Sequence, residues 1–316
     1  MSRFSSKKSR PYILEPYQRG GRNRFSCPNC KRKKSFTRYI RVDTREYIHE
    51  TVGRCDKEKR CGYHRPPSEY YNLQGISSPT INYSIIKIKS DKNLTPSYIP
   101  SQYFSDSLRR RYPNYFSQYL LDTFKTVKAR VKKVLEDYRI GNTNHFKGGT
   151  VFWQIDGSNR IRTGKIMLYN PATGKRVKDR YARINWMHSV LNIPDFNLSQ
   201  VYFGTHLLKR NSNATVGLVE SEKTAIIAAI AIPEIFWLAT GGINNINQER
   251  NQCLVNRSVI LVPDADATED WKNREHLFNM CKSVRTSSFI ELHTSPKDKI
   301  EGIDLADIII ENHKAK

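Results

Sequence analysis

Val216-Gly217-Leu218-Val219-Glu220-Ser221-Glu222-Lys223-Thr224-Ala225 is the stretch whose reading decides the fold. An apolar run, mostly β-branched residues and leucine, ends on a carboxylate and passes into a helix-like segment, which reads as a buried strand followed by a helix. The same order returns at Val259-Ile260-Leu261-Val262-Pro263-Asp264-Ala265-Asp266. Two such units predict a parallel sheet, and in open sheets of that kind ligands sit beyond the carboxyl ends of the strands. Glu220, Asp264 and Asp266 are therefore expected to converge on one edge. Grouped carboxylates repel one another unless a cation neutralises them, and an all-oxygen set suits a divalent ion such as magnesium.

Around these units the pattern continues. A helix is expected from Glu220 to about residue 230, a strand at 235–239, the Gly241-Gly242 turn and another helix. A helix is predicted around 271–282 and a last strand at 289–292. Residues 211–316 thus read as a small α/β domain. Upstream, residues 149–186 look β-rich, with runs at 151–155 and 165–169 separated by Gly and Asn turns. Between residues 119 and 138, Leu120, Phe124, Val127, Val131, Val134 and Tyr138 recur at helical spacing. Lys125, Lys128, Arg130, Lys132 and Lys133 cover much of the remaining surface of that helix, either as a solvated face or as a binding face.

A chain of 316 residues predicts two or three domains. Its formal charge of +23 is unevenly spread. Residues 1–70 carry 19 Lys and Arg against 7 Asp and Glu, residues 71–210 carry 23 against 8, and residues 211–316 carry 11 against 15. A chain that is basic for two thirds of its length and acidic where motif carboxylates gather is suited to a polyanion held near bound cations. With no amphipathic anchor in view, nucleic acid is favoured over a membrane surface. No apolar run approaches the roughly 20 residues of a membrane span, and the basic N-terminus lacks a secretory signal, so a cytoplasmic protein without a membrane partner is expected.

Cys27-Pro28-Asn29-Cys30 lets two thiolates from one tight turn reach the same tetrahedral ion. Cys55 and Cys61 supply a second, wider pair, with His64 three residues beyond. Four ligands are available as Cys27, Cys30, Cys55 and Cys61, or with His64 replacing one cysteine; four cysteines around Zn2+ are preferred. Disulfides fit poorly with a cytosolic chain, and a Lys/Arg-rich segment offers no core for buried free thiols. Cys253 and Cys281 fall on apolar positions and read as core residues. Between the two pairs lie Arg32, Lys33, Lys34, Phe36, Arg38, Tyr39 and Arg41, basic residues interleaved with aromatics that suit phosphates and stacked bases of single-stranded DNA.

A Glu closing one apolar strand and a DxD closing another resemble the Toprim domain of bacterial-type primases, topoisomerases and related nucleases, with Glu220, Asp264 and Asp266 on the matching positions. Asp304-Leu305-Ala306-Asp307 resembles the terminal acidic motif of several plasmid and phage primases. Val201-Tyr202-Phe203-Gly204 is similar to the aromatic-glycine segment that precedes Toprim in primases, and the basic 149–186 block stands where they carry a basic subdomain. The chain most resembles Toprim-domain primase-like proteins of Bacteroidota-type mobile elements. It departs from them in its zinc ligands, which are not the usual Cys-His-Cys-Cys, and in Ser221, where many members have glycine.

The resemblance implies a division into a basic flexible arm (1–24), a zinc-ribbon nucleic-acid-binding module (25–71), a linker (72–100), a basic helical and β-rich primase-like subdomain (101–210) and a Toprim-like catalytic α/β domain (211–316). It implies metal-dependent DNA-directed primer synthesis in the replication of a mobile element, with single-stranded DNA and nucleoside triphosphates as partners and a helicase supplied in trans. Asp264 and Asp266 would be ligands of Mg2+ or Mn2+, Glu220 a ligand or general base, and Asp304 and Asp307 either ligands of a second metal or caps of a short helix. Lys165, Arg176, Arg183 and Lys223 are the implied contacts to nucleotide or template. A Toprim nuclease using the same carboxylates and a non-catalytic DNA-binding replication or mobilisation protein are the competing readings.

Overall fold

A computed structural model describes residues 11–16, 23–75, 95–109, 114–178 and 183–314. The chain divides into two compact units, Met1–Asn93 and Leu94–Lys316. Most of the expected basic arm and of the expected linker lies outside the described residues.

The first unit is an antiparallel sheet of β1 (Tyr12–Leu14), β2 (Phe36–Arg41), β3 (Gly53–Cys55) and β4 (His64–Arg65) in that order. Tyr12 pairs with Arg41 and Leu14 with Tyr39, so residues 12–14 are a strand where the charge-rich composition led us to expect a flexible arm. Tyr12-Ile13-Leu14 is too short an apolar run to stand out as a strand in a segment of mostly polar and basic composition. Around the cysteines, buried Cys27, Phe36 and Cys55 form a small cluster with Phe25, Cys61 and Tyr63 packed on it, and Tyr12, Ile40 and Val52 are buried elsewhere in the unit. A core this small gains from a structural metal. Helices α1 (Glu58–Cys61) and α2 (Pro67–Leu73) complete the unit.

The second unit begins with α3 (Ser101–Leu108), α4 (Tyr115–Thr123) and α5 (Lys128–Asp137). The single helix expected over 119–138 is broken at Phe124, where ψ is 49° and a 3-10 turn, Lys125–Val127, intervenes. Thr123, Thr126 and Val127 crowd β-branched side chains at the break and lower helix propensity there. The periodic apolar residues keep their burial across it: Leu120, Phe124, Val131, Val134 and Tyr138 are all buried. The basic residues of this segment are exposed.

An antiparallel sheet follows, β5 (Gly141–Thr143), β6 (Gly149–Ile155), β7 (Ile161–Met167) and β8 (Ile184–Trp186), in sequence order. After α6 (Met187–Val190) and a 3-10 helix at Thr205–Arg210 comes a parallel sheet of β9 (Val216–Val219), β10 (Phe236–Ala239), β11 (Ser258–Leu261) and β12 (Ser283–Thr286). Its strand order is β10-β9-β11-β12. β9 therefore lies between β10 and β11, and the connections leave it in opposite directions. That makes the carboxyl ends of β9 and β11 the switch point of the sheet, the place where open parallel sheets bind ligands.

Helix α7 (Glu222–Ala231) follows β9 and is apolar all round, as a helix covered on more than one side must be. It shares a core with α4, α5 and β6 through Ile226, Ile227, Phe116, Val131 and Phe152. The opposite face of the sheet packs Leu218, Leu238 and Leu261 against Trp271 and Phe278. The remaining helices are α8 (Gln248–Asn251), α9 (Thr268–Lys272), α10 (Phe289–Leu292), α11 (Pro296–Glu301) and α12 (Leu305–Lys314).

Two expectations in this region need correction. Residues 289–292 form helix α10, and the last strand is β12, six residues earlier. The four residues Phe289-Ile290-Glu291-Leu292 have too little length for periodicity to separate strand from helix. The helix expected over 271–282 is instead α9 followed by a 3-10 turn at Glu275–Phe278. Trp271 and Phe278, seven residues apart, are both buried, so the spacing recorded burial on one face without a continuous helix.

Candidate functional site

The four cysteines meet in the first unit. Cys27 and Cys30 sit on a knuckle closed by the Lys31 amide donating to the Cys27 carbonyl at 3.0 Å and the Cys27 amide to the Arg32 carbonyl at 3.1 Å. Cys55 ends β3 and Cys61 ends α1, with Gly62 in the left-handed region at φ 71° turning the chain away. The Sγ atoms of Cys27 and Cys61 are 3.6 Å apart, those of Cys30 and Cys55 4.0 Å, and all four lie within 4.8 Å of one another. Four sulfurs at about 2.3 Å from a tetrahedral zinc stand roughly 3.8 Å from each other, so the geometry fits the ion. Burial pushes the Cys55 thiol up to about 12, a cost that a bound cation reverses by taking the thiolate's charge. The Lys57 amide, 3.4 Å from Cys55 Sγ, points a further positive dipole at that sulfur.

His64 stands outside this set. Its Nε2 pairs with the Tyr39 hydroxyl and its Nδ1 with Glu58 Oε1, each at 3.0 Å. Of the residues expected to touch DNA, Arg32, Lys33 and Lys34 are exposed on the turn after the knuckle. Phe36 is not available for base stacking. It is fully buried, opposite Cys55 in the sheet and edge-on to Tyr63 at 5.7 Å, because the zinc-side core needs its ring. Tyr39 stacks on His64, Arg38 lies 3.8 Å over the Phe25 ring, and Arg41 grips Asp43 with two hydrogen bonds of 2.9 and 2.6 Å.

In the second unit, Glu220 follows β9, and Asp264 and Asp266 lie just beyond β11. The loop is tied down from several sides: the Val262 amide donates to the Leu218 carbonyl at 2.9 Å, Gly241 to Glu220 at 2.8 Å, and Ala265 to Ile303 at 3.0 Å. The Gly241-Gly242 turn runs at φ 72° and 137°, backbone that only glycine adopts without strain, and so brings the end of β10 round beside Glu220. Burial pushes the Asp264 carboxyl up to about 8, and the negative charges of Asp304, Glu220 and Asp266 add to it against the pull of Lys223. The carboxylates are thus electrostatic neighbours. They are more open than the cysteines, which are the one group of three or more metal-ligand side chains among the described residues to close within 4.8 Å. Glu220, Asp264 and Asp266 carry oxygen donors only, the ligand type that hard divalent cations take.

Asp304 and Asp307 are arranged differently. Asp304 immediately precedes α12 and caps it: its Oδ1 accepts from the Asp307 amide at 3.0 Å, and Asp307 Oδ2 accepts from the Asp304 amide at 3.3 Å. Asp304 Oδ2 accepts from the Thr224 hydroxyl at 2.7 Å. Thr224 Oγ1 is 2.7 Å from Ser221 Oγ, which also accepts from the Thr224 amide as the N-cap of α7. With Thr224 donating to Asp304, the Ser221 hydroxyl donates to Thr224. Lys223 Nζ completes the cluster, 3.3 Å from Asp307 Oδ1 and 3.8 Å from Asp304 Oδ2. Burial works against the Lys223 ammonium, but Asp304 and Asp307 outweigh it and hold its pKa above the usual lysine value.

The implied nucleotide contacts also divide. Lys165 on β7 is bound to Glu222 through contacts of 3.1 and 2.9 Å, and Glu222 is only 2% exposed. Arg183 lies 5.8 Å over the Phe146 ring. Arg176 lines a cleft of about 620 Å3 together with Tyr169, Lys175 and Lys178, facing Ser221, Lys223, Asp304 and Asp307. Sequence reasoning passed over Lys175 and Lys178, although Lys175-Arg176-Val177-Lys178 after a Gly turn was signal enough. Glu222, by sequence a carboxylate suited to a helix N-terminus, is buried at the head of a mostly apolar helix.

Residues 10–76 match a family described as a zinc β-ribbon finger, and residues 114–265 match one described as a domain of unknown function (DUF6371). No curated protein matches the chain. Among solved structures, the primase fragment of the bacteriophage T7 primase-helicase protein is similar at 13% identity, with 92% of this chain and 96% of that chain covered and a TM-score of 0.40. The DnaG catalytic core is similar at 13% identity, covering 67% and 72%, with a TM-score of 0.41. The Aquifex aeolicus primase, in its zinc-binding and RNA polymerase domains, is similar at 14% identity, covering 84% and 71%, with a TM-score of 0.36. The zinc β-ribbon match and the four-cysteine geometry together support a structural zinc ion. Among the described residues no helix is long and apolar enough to cross a membrane.

Proposed function

We propose that this protein is a primase-like nucleotidyltransferase that makes short primers on single-stranded DNA with the carboxylate edge of its parallel sheet. What supports the reading is that Glu220 follows β9 and Asp264 and Asp266 follow β11 at the switch point of the sheet, where burial first, and then the negative charges of Asp304, Glu220 and Asp266, push Asp264 up to about 8. Such crowding is costly in an empty site and is relieved by a divalent cation. Mg2+ or Mn2+ bound there supplies charge neutralisation and lowers the pKa of an attacking 3′ hydroxyl.

The chain's own residues divide the remaining work. Asp264 and Asp266 hold the cation, and Glu220 either shares that task or takes the hydroxyl proton. Lys175, Arg176 and Lys178, which line the cleft together with Ser221, Lys223, Asp304 and Asp307, bind the triphosphate or the template backbone. Arg32, Lys33 and Lys34, exposed beside the zinc knuckle, hold single-stranded template through its phosphates. The division into a zinc-ribbon module (25–71), a basic subdomain (101–210) and a catalytic domain (211–316) follows from the same reading. Work within a mobile element's replication, with a helicase supplied in trans, rests on the resemblance of the Glu220, Asp264-x-Asp266 and Asp304-x-x-Asp307 motifs.

The test is incubation of the full chain with single-stranded DNA, labelled nucleoside triphosphates and Mg2+ or Mn2+. Short labelled products support primer synthesis. Cleavage of the DNA without synthesis transfers the same carboxylates to a nuclease, and neither outcome leaves a DNA-binding protein without this chemistry.

A further inference from the structure

The resemblance that points to Asp304 and Asp307 as ligands of a second cation conflicts with what surrounds them. Both oxygens of Asp304 are committed, Oδ1 to the Asp307 amide at 3.0 Å and Oδ2 to the Thr224 hydroxyl at 2.7 Å, which is itself fixed by Ser221. Asp307 Oδ2 accepts from the Asp304 amide at 3.3 Å, and its Oδ1 is 3.3 Å from Lys223 Nζ. The Lys223 side chain is 17% exposed and comes from the first turn of α7, whose start is pinned by the Ser221 cap. Each of these oxygens keeps a lone pair beside its hydrogen bond, so the obstacle to a divalent ion between the aspartates is the ammonium that already stands there.

We infer that Lys223 is a built-in cation that takes the place of a second metal, so that the carboxylate edge holds one divalent ion, at Glu220, Asp264 and Asp266, and none at Asp304 and Asp307. The inference rests on the proposed cation site at those three residues. Lys223 is accordingly a positioning residue. Its ammonium offsets one of the two negative charges of the Asp304–Asp307 pair without a metal, and a cation at the neighbouring site meets a fixed positive charge on that side.

Counting bound Mn2+ on the zinc-loaded full chain, from the loss of the free-ion electron paramagnetic resonance signal, tests this. The wild type is expected to bind one Mn2+ per chain. Asp307→Asn, at a side chain that is 38% exposed and so tolerant of the change, should still bind one. Lys223→Met should bind a second Mn2+, and the double variant Lys223→Met with Asp307→Asn should return to one. A wild type that binds two ions and loses one in Asp307→Asn overturns the inference, as does a Lys223→Met protein that stays at one. Asp264→Asn reports on the parent reading separately: it should bind none, and if it keeps its ion the site at Glu220, Asp264 and Asp266 is wrong whatever the Lys223 variants do.

Discussion

Lys165→Met should destabilise the second unit more than any change at an exposed basic residue. Lys165, on the antiparallel sheet, reaches Glu222 at the head of α7 with Nζ–Oε distances of 2.9 and 3.1 Å. The side chains are 14% and 2% exposed. Removing the ammonium leaves a carboxylate with almost no solvent and without its counter-charge, and breaking a buried pair from one side costs roughly 3–5 kcal/mol. The residual exposure of Lys165 admits some water, which places the expected loss near 3 kcal/mol at the low end of that range. For a unit of this size each kcal/mol moves the melting temperature by about 2–4 °C, so a fall of about 6–12 °C is expected by calorimetry. Replacing both partners, Lys165→Met with Glu222→Leu, removes the stranded charge and should recover about 2 kcal/mol in urea unfolding. A single variant within about 1 kcal/mol of wild type, or a double variant no better than the single, would refute the argument that the pair is buried and mutually dependent.

Zinc content should fall from one ion per chain to none when Cys27→Ser and Cys30→Ser are combined, and an unchanged content by atomic absorption would remove the four-cysteine site. Single-stranded DNA affinity should fall steeply with salt, and replacing Arg32, Lys33 and Lys34 by alanine should flatten the log–log slope by about 2, at roughly 0.7 per phosphate contact. An unchanged slope would take these residues out of the interface. Stability should also depend on His206, a half-buried residue that places Nε2 2.9 Å from the Asp137 carbonyl and leaves its buried Nδ1 without a hydrogen bond. Burial lowers its pKa below 6.5, so the unfolded chain takes up the proton first: the contribution is full above the ordinary histidine range and is lost as pH falls through it. His206→Gln should therefore lose less stability than wild type between pH 7.5 and 5.5, and equal losses by urea midpoint would contradict this.

The parallel sheet was legible because β9 and β11 are short runs of Val, Leu and Ile ending on carboxylates, a pattern that survives without any tertiary information. The cysteines were legible for a similar reason, since two close pairs in a Lys/Arg-rich segment leave few alternatives. What escaped depends on partners distant in sequence. Phe36 reads as one of several aromatics among basic residues, and only the sheet register opposite Cys55 turns it inward. Lys165 and Glu222 look like ordinary surface charges until β7 is laid beside α7. Asp304 and Asp307 have the spacing of a metal motif and also that of a helix cap, and their contacts to Thr224 and Lys223, some eighty residues upstream, are invisible in the motif itself. Over 119–138 the periodic residues Leu120, Phe124, Val131, Val134 and Tyr138 are buried and Val127 is half-buried, although the expected single helix is broken. The helix breaks there come from local β-branched crowding and from turns that a face pattern does not record.

Nucleotidyl transfer by Asp264→Asn compared with wild type, on single-stranded DNA with Mn2+ and labelled nucleoside triphosphates, bears most directly on the proposed function. Zinc content, DNA binding and melting temperature of the variant serve as controls for the fold. Wild type should yield short labelled products, and the variant should yield at least about 100-fold less, since losing even an outer partner of a metal ligand costs on the order of 10–100-fold. Full synthesis by Asp264→Asn would contradict the account.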